Sequence, residues 1–449
     1  MGMIQLKRAL RLNDVAQLAF VGAGGKTAAL FILARQFTRP VLVTASTHFA
    51  ASQAKLADQL LVIKQAADLS RLDAARLPAV TMLTGEENEE GRLVGLGEEA
   101  LGILSAFAHK HGLPLLIEAD GARQRALKAP AGHEPAISPF VDTVIVVAGL
   151  SALGQALSGE FIHRPERFAE LSGLKPGALV DSAALARVLA HPEGGLKRIP
   201  TGARTVVLLN QADTPALEGA ARGLASRLLP TFDAVLVSAL HRSPDAIAVH
   251  EPVAGILLAA GGSGRLGRPK QLLDWKGKPF VRQVAETALS AGLSPLIVVT
   301  GSDAEAVEAA LSGLQVHIVR NPAWEQGQSS SVKAGLAALP RNVGAALFLV
   351  VDQPQLPVAL LEALCAQHAA SLAPIVATQV DGQRTNPVLF DRSTFADFLE
   401  LQGDVGGRAI FSKHAVTWLP WLDASLAIDV DKPEDYNRLL RAASQTPSR

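Results

Sequence analysis

Residues 257–273, LLAAGGSGRLGRPKQLL, decide how the second half of this chain folds. The stretch follows the apolar run AGILLAA, as expected where a buried strand ends in a loop, and it carries glycines at the spacing of a dinucleotide-binding fingerprint. That fingerprint also needs a helix beginning inside the loop, and Pro269 interrupts it. The loop instead contains Arg265 and Lys270. A triphosphate needs such cations more than a dinucleotide pyrophosphate does, so we predict a triphosphate-binding loop.

An acidic residue follows another buried strand in the same half. Asp352 ends the apolar run ALFLVV and precedes QPQLP, so its carboxylate is expected at the carboxyl edge of a sheet, where α/β folds bind ligands. Carboxylate oxygens there suit Mg²⁺, which bridges phosphates. Asp431, in IDVDKPED, is the expected second carboxylate, with Asp429 as the alternative. Each aspartate taken alone could equally cap a turn or a helix.

The composition excludes several classes of protein. The 449 residues include 42 basic and 42 acidic side chains, so the chain lacks the basic excess of nucleic-acid-binding proteins. Its single cysteine, Cys365, can form neither an internal disulfide nor a thiolate metal site. The amino terminus has no signal-peptide core and no run is long enough to span a membrane. We therefore expect a cytoplasmic protein that binds neither nucleic acid nor membrane.

Apolar runs that end in glycine or an acid alternate with helical stretches along the chain. This alternation predicts an α/β fold with two domains, each built on a mainly parallel sheet. We expect a P-loop-like domain over 1–240, a Rossmann-like domain over 254–440, and a frayed tail over 441–449. The polar, proline-containing segment 241–253 has no clear periodicity and is predicted to be a linker.

The second half resembles the molybdenum cofactor cytidylyltransferases, the MocA-type branch of the MobA-like nucleotidyltransferases. The resemblance covers about 255–440 and rests on six segments in order: LLAAGGSGRLGRPKQLL, GQSSSVKAG, VVDQPQLP, NPVLF, GDVGGRAI and IDVDKPEDY. It implies an Mg²⁺-dependent transfer of CMP from CTP to the molybdopterin cofactor, with release of pyrophosphate. A phosphate monoester acceptor is already ionised at neutral pH, so no general base is needed.

The resemblance also implies roles for individual residues. Arg265, Lys270 and Asp352 would be catalytic, with the two cations neutralising the leaving phosphates, and Asp352 and Asp431 would hold the metal. The other expected contacts are Leu258, Ala259, Ala260, Gly261, Gly262, Ser263, Gly264, Gly267, Ser329 and Ser330 for the nucleotide, and Asn386, Pro387, Gly403, Asp404 and Arg408 for the pterin substrate.

The choice of nucleotide and acceptor rests on short segments. The LAAG opening, residues 258–261, resembles the cytidine-using branch. Thr385 stands where the family usually has glycine, and this departure lies beside the expected pterin contacts. Alternative readings are a transferase that uses GTP or a sugar or polyol phosphate acceptor, and a cofactor chaperone that performs little chemistry.

The first half contains FVGAGGKTAAL, residues 20–30, which resembles a phosphate-binding loop. In such a loop Lys26 would contact the terminal phosphates and the Thr27 hydroxyl would bind Mg²⁺, directly after Gly25. The first glycine of a full Walker loop would fall on a phenylalanine, so Gly22 and Gly24 must shape this loop instead.

Two later segments complete the expected nucleotide site of the first half. The strand PLLIEAD ends in Glu118 and Asp120, a candidate pair for Mg²⁺ or for positioning water. The segment VVLLNQAD resembles the Asn-Lys-x-Asp guanine reader, with Asn210 and Asp213 in place and Gln211 instead of the lysine.

Together with TASTHF, EADGARQRALKAPAGHEP and VVAGLSALG, these segments resemble the YqeC-type proteins over about 15–240. That family is linked to the maturation of selenium-dependent molybdenum hydroxylases. The resemblance implies a second NTP in this half and an apo molybdenum hydroxylase as the partner.

Overall fold

A computed structural model describes residues 3–263 and 266–445. The chain divides into a first unit, Met1–His250, and a second unit, Glu251–Arg449. Both units combine parallel strands with helices, which confirms the predicted α/β class and the presence of two domains. Among the described helices, none combines the length and apolar character needed to span a membrane.

The first unit is built on a ten-stranded sheet, accompanied by two small two-stranded sheets. Its described strands are β1 Ile4–Gln5, β2 Gln17–Gly22, β3 Val41–Ala45, β4 His48–Ala50, β5 Gln59–Val62, β6 Val80–Thr84, β7 Arg92–Val94, β8 Leu115–Glu118, β9 Leu127–Lys128, β10 Thr143–Gly149, β11 Ile162–His163, β12 Arg204–Asn210, β13 Ala234–Ser238 and β14 Asp245–His250. The large sheet has the order β1-β14-β13-β12-β10-β2-β8-β3-β6-β5. The eight strands from β13 to β5 are parallel, and only β14 and β1 add antiparallel pairs at one edge.

Helices connect the parallel strands of the first unit. They are α1 Leu6–Ala9, α2 Lys26–Ala34, α3 Glu98–His111, α4 Pro165–Ser172, α5 Ser182–Leu189 and α6 Pro215–Leu228. The central strands β3 and β10 are buried at every position, as expected for parallel strands covered on both faces. The carboxyl ends of β2, β8 and β12 lead into the segments predicted to bind a nucleotide, so parallel pairing brings these segments to one edge of the sheet.

The segment 241–253, predicted as a linker, differs from that expectation. Residues Asp245–His250 form β14, which pairs with β13 and β1, and Val253 begins the first strand of the second unit. Only Ala246 and Val249 are buried in β14, because the strand lies next to the sheet edge. Its sequence therefore lacks the continuous apolar run by which the inner strands are recognised.

The second unit contains a seven-stranded mixed sheet and a small hairpin. Its described strands are β15 Val253–Ala259, β16 Asp274–Trp275, β17 Lys278–Pro279, β18 Leu296–Thr300, β19 His317–Arg320, β20 Ala345–Val350, β21 Ile375–Val380, β22 Gln383–Asp391 and β23 Val416–Pro420. The sheet order is β19-β18-β15-β20-β22-β21-β23, with β22 antiparallel to both of its neighbours. The loops after β15 and β20, which are adjacent parallel strands, therefore meet at one edge.

The helices of the second unit are α7 Phe280–Ser290, α8 Ala304–Ala310, α9 Gln328–Ala337, α10 Val358–Ser371, α11 Phe395–Phe398 and α12 Pro433–Gln445. The last of these continues into 441–445, which the sequence predicted as part of a frayed tail. Helix α12 packs against the hairpin through Tyr436, whose hydroxyl donates a 2.8 Å hydrogen bond to the carbonyl of Asp274.

Candidate functional site

The loop after β15 is held in place by a glutamine side chain. Gln271 is fully buried, and its Nε2 donates to the carbonyls of Ala259 (3.1 Å) and Gly261 (2.6 Å). Ser263 has a left-handed φ of 49°, and its Oγ accepts a 3.0 Å bond from the backbone N–H of Lys270. Gly261, Gly262 and Ser263 line a cleft at this edge. The predicted Gly264 and catalytic Arg265 lie outside the described residues.

The two predicted acids meet the predicted lysine at this edge. Lys270 Nζ lies 2.7 Å from Asp352 Oδ2 and 3.4 Å from Asp431 Oδ1. Burial alone would lower the pKa of Lys270, but Asp352 and Asp431 outweigh it and the pKa is raised. The lysine is therefore cationic at neutral pH and is shared between two carboxylates.

Asp352 also has a free, buried acceptor. Its Oδ1 atom is buried and makes no hydrogen bond with any described group. Such an orphaned carboxylate oxygen is what a hard divalent cation would occupy. No cluster of three or more His, Cys, Asp or Glu side chains in the described ranges could hold a metal by itself. A bound Mg²⁺ would therefore take its remaining ligands from substrate phosphates and water, as is usual for this ion.

Asp429, the alternative second acid, plays a different part. Burial, followed by the charge of Asp352, raises the pKa of Asp429 to about 6. Its Oδ1 accepts a 2.9 Å bond from Gln353 Nε2, which also donates to the carbonyl of Leu426 at 3.1 Å. Asp429 therefore anchors the segment that carries Asp431, while Asp431 is the acid that reaches Lys270.

Two adjoining clefts open at this edge. The first has a volume of about 600 Å³, and its lining includes Ala260, Gly261, Gly262, Ser263, Lys270, Asp352 and Asp431. The second, of about 450 Å³, includes Asn386 and Arg408. Both clefts share Leu258, Gln328, Val350 and Asp404. A nucleotide in one cleft and an acceptor in the other would thus be in contact along this common wall.

Some predicted contacts lie behind the cleft surface. The Ala259 side chain is buried in the core, and Gly267 and Pro387 are absent from both linings. Ser329 is also buried, and the Ser330 hydroxyl donates to the carbonyls of Ala323 and Gly327. From the serine run, Ser331 lines the cleft instead. The helical period of α9 determines which serine faces the cleft, and the segment GQSSSVKAG by itself does not identify that serine.

The backbone of the predicted Gly403 turn packs on the start of α9. The Gly403 carbonyl accepts a 3.2 Å bond from the N–H of Ser329. A Cβ atom on Gly327 would lie 2.4 Å from the Gly403 carbonyl carbon, and Gly327 has a φ of +105°. Glycine at 327 therefore permits a close backbone contact between the segments that line the two clefts.

Sequence reasoning missed one cation of the second cleft. The Arg384 guanidinium lies 5.1 Å from the centre of the Phe411 ring, within cation–π distance. Burial, followed by the charge of Arg408, lowers the pKa of Arg384. Two arginines are therefore held close enough to repel each other. Arg384 stands two residues before the NPVLF segment, but the fold that brings it into the same cleft as Arg408 is not visible in the sequence.

In the first unit, the predicted phosphate loop joins β2 to α2. Gly22, Gly24 and Gly25 have φ values of 92°, 83° and 122°, which glycine adopts readily. A Cβ on Gly24 would come within 2.3 Å of the backbone nitrogen of Gly149. Helix α2 begins at Lys26. The loop is thus shaped by its glycines, as the sequence predicted.

Lys26 and Thr27 contact the two acids at the end of β8, Glu118 in the strand and Asp120 two residues beyond it. Lys26 Nζ donates to the Gly22 carbonyl at 2.8 Å and lies 3.2 Å from Asp120 Oδ1 and 3.7 Å from Glu118 Oε1. The Thr27 hydroxyl donates a 2.7 Å bond to Glu118. Burial alone would lower the pKa of Lys26, but Asp120 and Glu118 raise it, while burial raises the pKa of Glu118.

A chain of ion pairs continues from Asp120 away from the loop. Lys128 Nζ lies 2.9 Å from both Asp120 and Glu134, and Arg164 makes two hydrogen bonds to Glu134, at 2.7 and 3.2 Å. Burial would raise the pKa of Glu134, but the bonds from Arg164 and Lys128 prevail and the pKa falls to about 2. Asp120 therefore pairs with two lysines, Lys26 and Lys128, under the loop. Glu118, not Asp120, lines the cleft.

The segment that resembles a guanine-binding motif, with Asn210 and Asp213, has another role in this structure. Asn210 Nδ2 donates a 2.8 Å bond to the Gly24 carbonyl, and its Oδ1 accepts from Ser238 and Leu240. Its amide is therefore used to brace the loop. Asp213 pairs with His241 at 3.2 Å, and neither Asn210 nor Asp213 lines the cleft.

The cleft of the first unit has a volume of about 1010 Å³. Its lining includes the loop residues Gly24, Gly25, Lys26 and Thr27 together with Glu118, Arg123, Arg125, His163 and Arg164. A cleft of this size and charge could hold a nucleotide with room beside it.

The two units match two family models. Residues 255–417 match the MobA-like NTP transferase domain, and residues 18–166 match the YqeC protein. The uncharacterized protein YqeC of Escherichia coli (strain K12) is 34% identical over 204 residues, which are 43% of this chain and 75% of that protein.

Two further relatives match nearly over their whole length. Nicotine blue oxidoreductase of Paenarthrobacter nicotinovorans is 34% identical over 42% of this chain and 96% of its own length. Purine catabolism protein PucB of Bacillus subtilis (strain 168) is 30% identical over 42% of this chain and 97% of its own. Among solved structures, Rv0371c of Mycobacterium tuberculosis H37Rv is 30% identical, with coverage of 42% and 98% and a TM-score of 0.38. The chain therefore belongs to two families, and joins a YqeC protein to a MobA-like NTP transferase domain.

Proposed function

We propose that the second unit transfers CMP from CTP to the molybdopterin cofactor and releases pyrophosphate. The observation that carries the proposal is Lys270, which is shared by Asp352 and Asp431 beside the glycine loop. The lysine supplies positive charge, and the orphaned Asp352 oxygen supplies a metal ligand, at the edge where the sheet binds ligands. Two adjoining clefts provide room for a donor and an acceptor.

The proposed reaction requires no general base from the protein. An ionised oxygen of the acceptor phosphate attacks the α phosphorus of CTP, a new phosphoanhydride forms, and the α–β bond breaks. The bond's electron pair leaves with pyrophosphate, whose developing charge Lys270 neutralises. When bound at Asp352 and Asp431, Mg²⁺ would add positive charge to the phosphates. Positioning and charge neutralisation thus account for the reaction.

The second cleft fits an acceptor that carries a phosphate. Arg408 and Arg384 both line it, and neither makes an ion pair with a described carboxylate. Arginine binds phosphate through paired N–H groups, so the two side chains would hold the acceptor phosphate toward the first cleft. Asn386 and Asp404 also line this cleft and would contact the polar ring of a pterin.

CTP is proposed as the donor because the cleft opens with the LAAG segment, residues 258–261. Its Leu258 and Ala260 side chains line the nucleotide cleft, where a different residue would change the space for the base. GTP as the donor remains as an outcome of the test.

We further propose that the first unit binds a second NTP and acts in the maturation of a molybdenum hydroxylase. Lys26 and Thr27 would contact its phosphates, and the residues fit a divalent cation through Thr27 and Glu118, because both line the cleft. Asp120 fits less well, because its Oδ2 accepts from the Gly22 N–H and pairs with Lys128, while its Oδ1 lies 3.2 Å from Lys26.

The test measures pyrophosphate release by the full chain with molybdopterin and each of CTP, GTP, ATP and UTP, followed by mass spectrometry of the product. Fastest release with CTP and a product heavier than molybdopterin by a cytidylyl group (CMP less one water) are expected. Faster transfer from GTP would assign the other nucleotide. Binding of CTP and molybdopterin without any pyrophosphate would instead favour a cofactor chaperone.

A further inference from the structure

The cleft of the first unit is larger than a single nucleotide needs. Its volume of about 1010 Å³ compares with about 600 Å³ and 450 Å³ for the two clefts that serve donor and acceptor in the second unit. The first unit thus encloses in one cleft about the space that the second unit divides between two ligands.

The charges that line this cleft are unequal. Its cations outnumber its carboxylates, although the chain as a whole carries no net charge. The cations are Lys26, Arg92, Arg123, Arg125 and Arg164, and the carboxylates are Glu118 and Glu134. A positive cleft in a neutral protein attracts anions, and several of them if space allows.

Most of these cations already have a carboxylate partner. Lys26 pairs with Asp120 and Glu118, Arg164 with Glu134, and Arg92 lies 3.5 Å from the Glu90 carboxylate. The side chains of Arg123 and Arg125, by contrast, make no hydrogen bond or ion pair within the ranges 3–263 and 266–445. These two guanidinium groups are therefore available to a ligand.

Arg123 and His163 line the same cleft. Burial, followed by the charges of Arg164, Lys128 and Arg123, lowers the pKa of His163 to about 4. The histidine is consequently neutral, so it can hydrogen-bond a ligand without adding charge. The backbone ties this region to the phosphate loop, because the N–H of Gly24 donates a 3.0 Å bond to the carbonyl of Arg125.

We propose that this cleft binds two anionic ligands side by side: a nucleotide on the phosphate loop, and a second phosphorylated small molecule on Arg123 and Arg125. The second ligand carries a phosphate monoester or a diphosphate, because exposed arginines bind such groups through two N–H bonds. The inference rests on the proposed nucleotide site of the first unit. It adds a subsite that Lys26 does not serve.

The test uses the full chain with Lys270→Ala, so that the phosphate-facing lysine of the second unit is removed. Isothermal titration with pyrophosphate is carried out in the presence of saturating ATP. Binding of pyrophosphate to the ATP complex is expected, with at least a tenfold loss of affinity when Arg123→Ala and Arg125→Ala are added. ATP affinity should change less than threefold in that variant. Lys26→Ala should show the reverse pattern, with ATP weakened and pyrophosphate retained.

A matched control removes two exposed arginines outside the cleft, Arg71→Ala and Arg227→Ala, and should bind both ligands as before. Displacement of ATP by pyrophosphate, or equal loss of both ligands in the arginine variant, would overturn the second subsite. If neither ATP nor GTP binds, the proposed nucleotide site is wrong. Pyrophosphate binding that depends on the two arginines and not on Lys26 would still support the subsite in that case.

Discussion

Replacing Asp352 with asparagine should abolish transfer while leaving the second unit folded. The carboxylate has two oxygens with two tasks: Oδ2 holds Lys270 at 2.7 Å, and Oδ1 is buried without a hydrogen bond. An amide of the same shape has one acceptor oxygen. If that oxygen faces the metal position, the NH₂ group faces the Lys270 ammonium, and the contact with the lysine is lost. In the flipped orientation the oxygen faces Lys270, and the metal ligand is lost.

The expected loss follows from this geometry. Loss of one preorganised charge contact typically costs about 10²–10³ in turnover, or roughly 2.7–4 kcal/mol. The folded state should not suffer similarly, because Asp352, Asp429 and Asp431 crowd one lysine, and removing one negative charge reduces their repulsion. We expect the melting temperature to stay within about 2 °C of wild type.

The assay is pyrophosphate release at saturating CTP, molybdopterin and Mg²⁺, paired with thermal denaturation followed by circular dichroism. Asp381→Asn is the control, because Asp381 is exposed in the turn between β21 and β22 and asparagine tolerates its φ of 47°. Asp352→Asn turnover above one third of wild type would refute the metal and lysine assignment. An equal loss of turnover in Asp381→Asn would show that the loss does not arise from the metal and lysine contacts of Asp352.

Three further predictions concern other parts of the chain. Gly24→Ala should lower the free energy of unfolding of the first unit by more than about 2 kcal/mol in urea denaturation, because the new Cβ would lie 2.3 Å from a backbone atom. Gly267→Ala should lower that of the second unit by only about 1 kcal/mol, because Gly267 has a positive φ but open space around the position of the Cβ. The folded-state pKa of His250 is about 4, below its unfolded value of 6.5, so the stability that this histidine contributes to the first unit should be present above pH 6.5 and fall by about 3 kcal/mol as the pH drops to 4. His250→Gln should flatten that slope, and an unchanged slope would contradict the assignment. Cleavage engineered after His250 should yield two soluble fragments, and the fragment 251–449 should retain pyrophosphate release. Cleavage at 240 should instead separate β13 from its neighbour β14 and cause the first fragment to aggregate through the exposed strand edge.

Much of the second site was predictable because its residues follow strands. Lys270 and Asp352 each come after an apolar run, and parallel strands deliver their carboxyl ends to a common edge, so their meeting could be inferred from spacing alone. The glutamines Gln271 and Gln353 could not be found this way. A buried amide acts through backbone carbonyls that are distant in sequence, and those partners exist only after the chain has folded.

The first unit illustrates a different limit. Asn210 stands at a position that resembles a base reader, but its amide is consumed by Gly24, Ser238 and Leu240. The same side chain can serve a ligand or a loop, and the sequence does not reveal which donors and acceptors lie nearby. Strand β14 was missed for a related reason, since a half-buried strand beside an edge reads as a polar segment.

The pairing of β1 with β14 has a consequence for synthesis of the protein. Ile4 is the register partner of Ala246, so β1 leaves the ribosome well before β14 and finds this neighbour only after most of the unit has been made. At roughly 5–20 residues per second, the nascent β1 segment waits on the order of 10–50 s for that neighbour. During this interval its backbone groups must be satisfied by water or by a chaperone. Codon changes that slow translation between the two strands should therefore lengthen the time during which the unfinished sheet is open to misassembly.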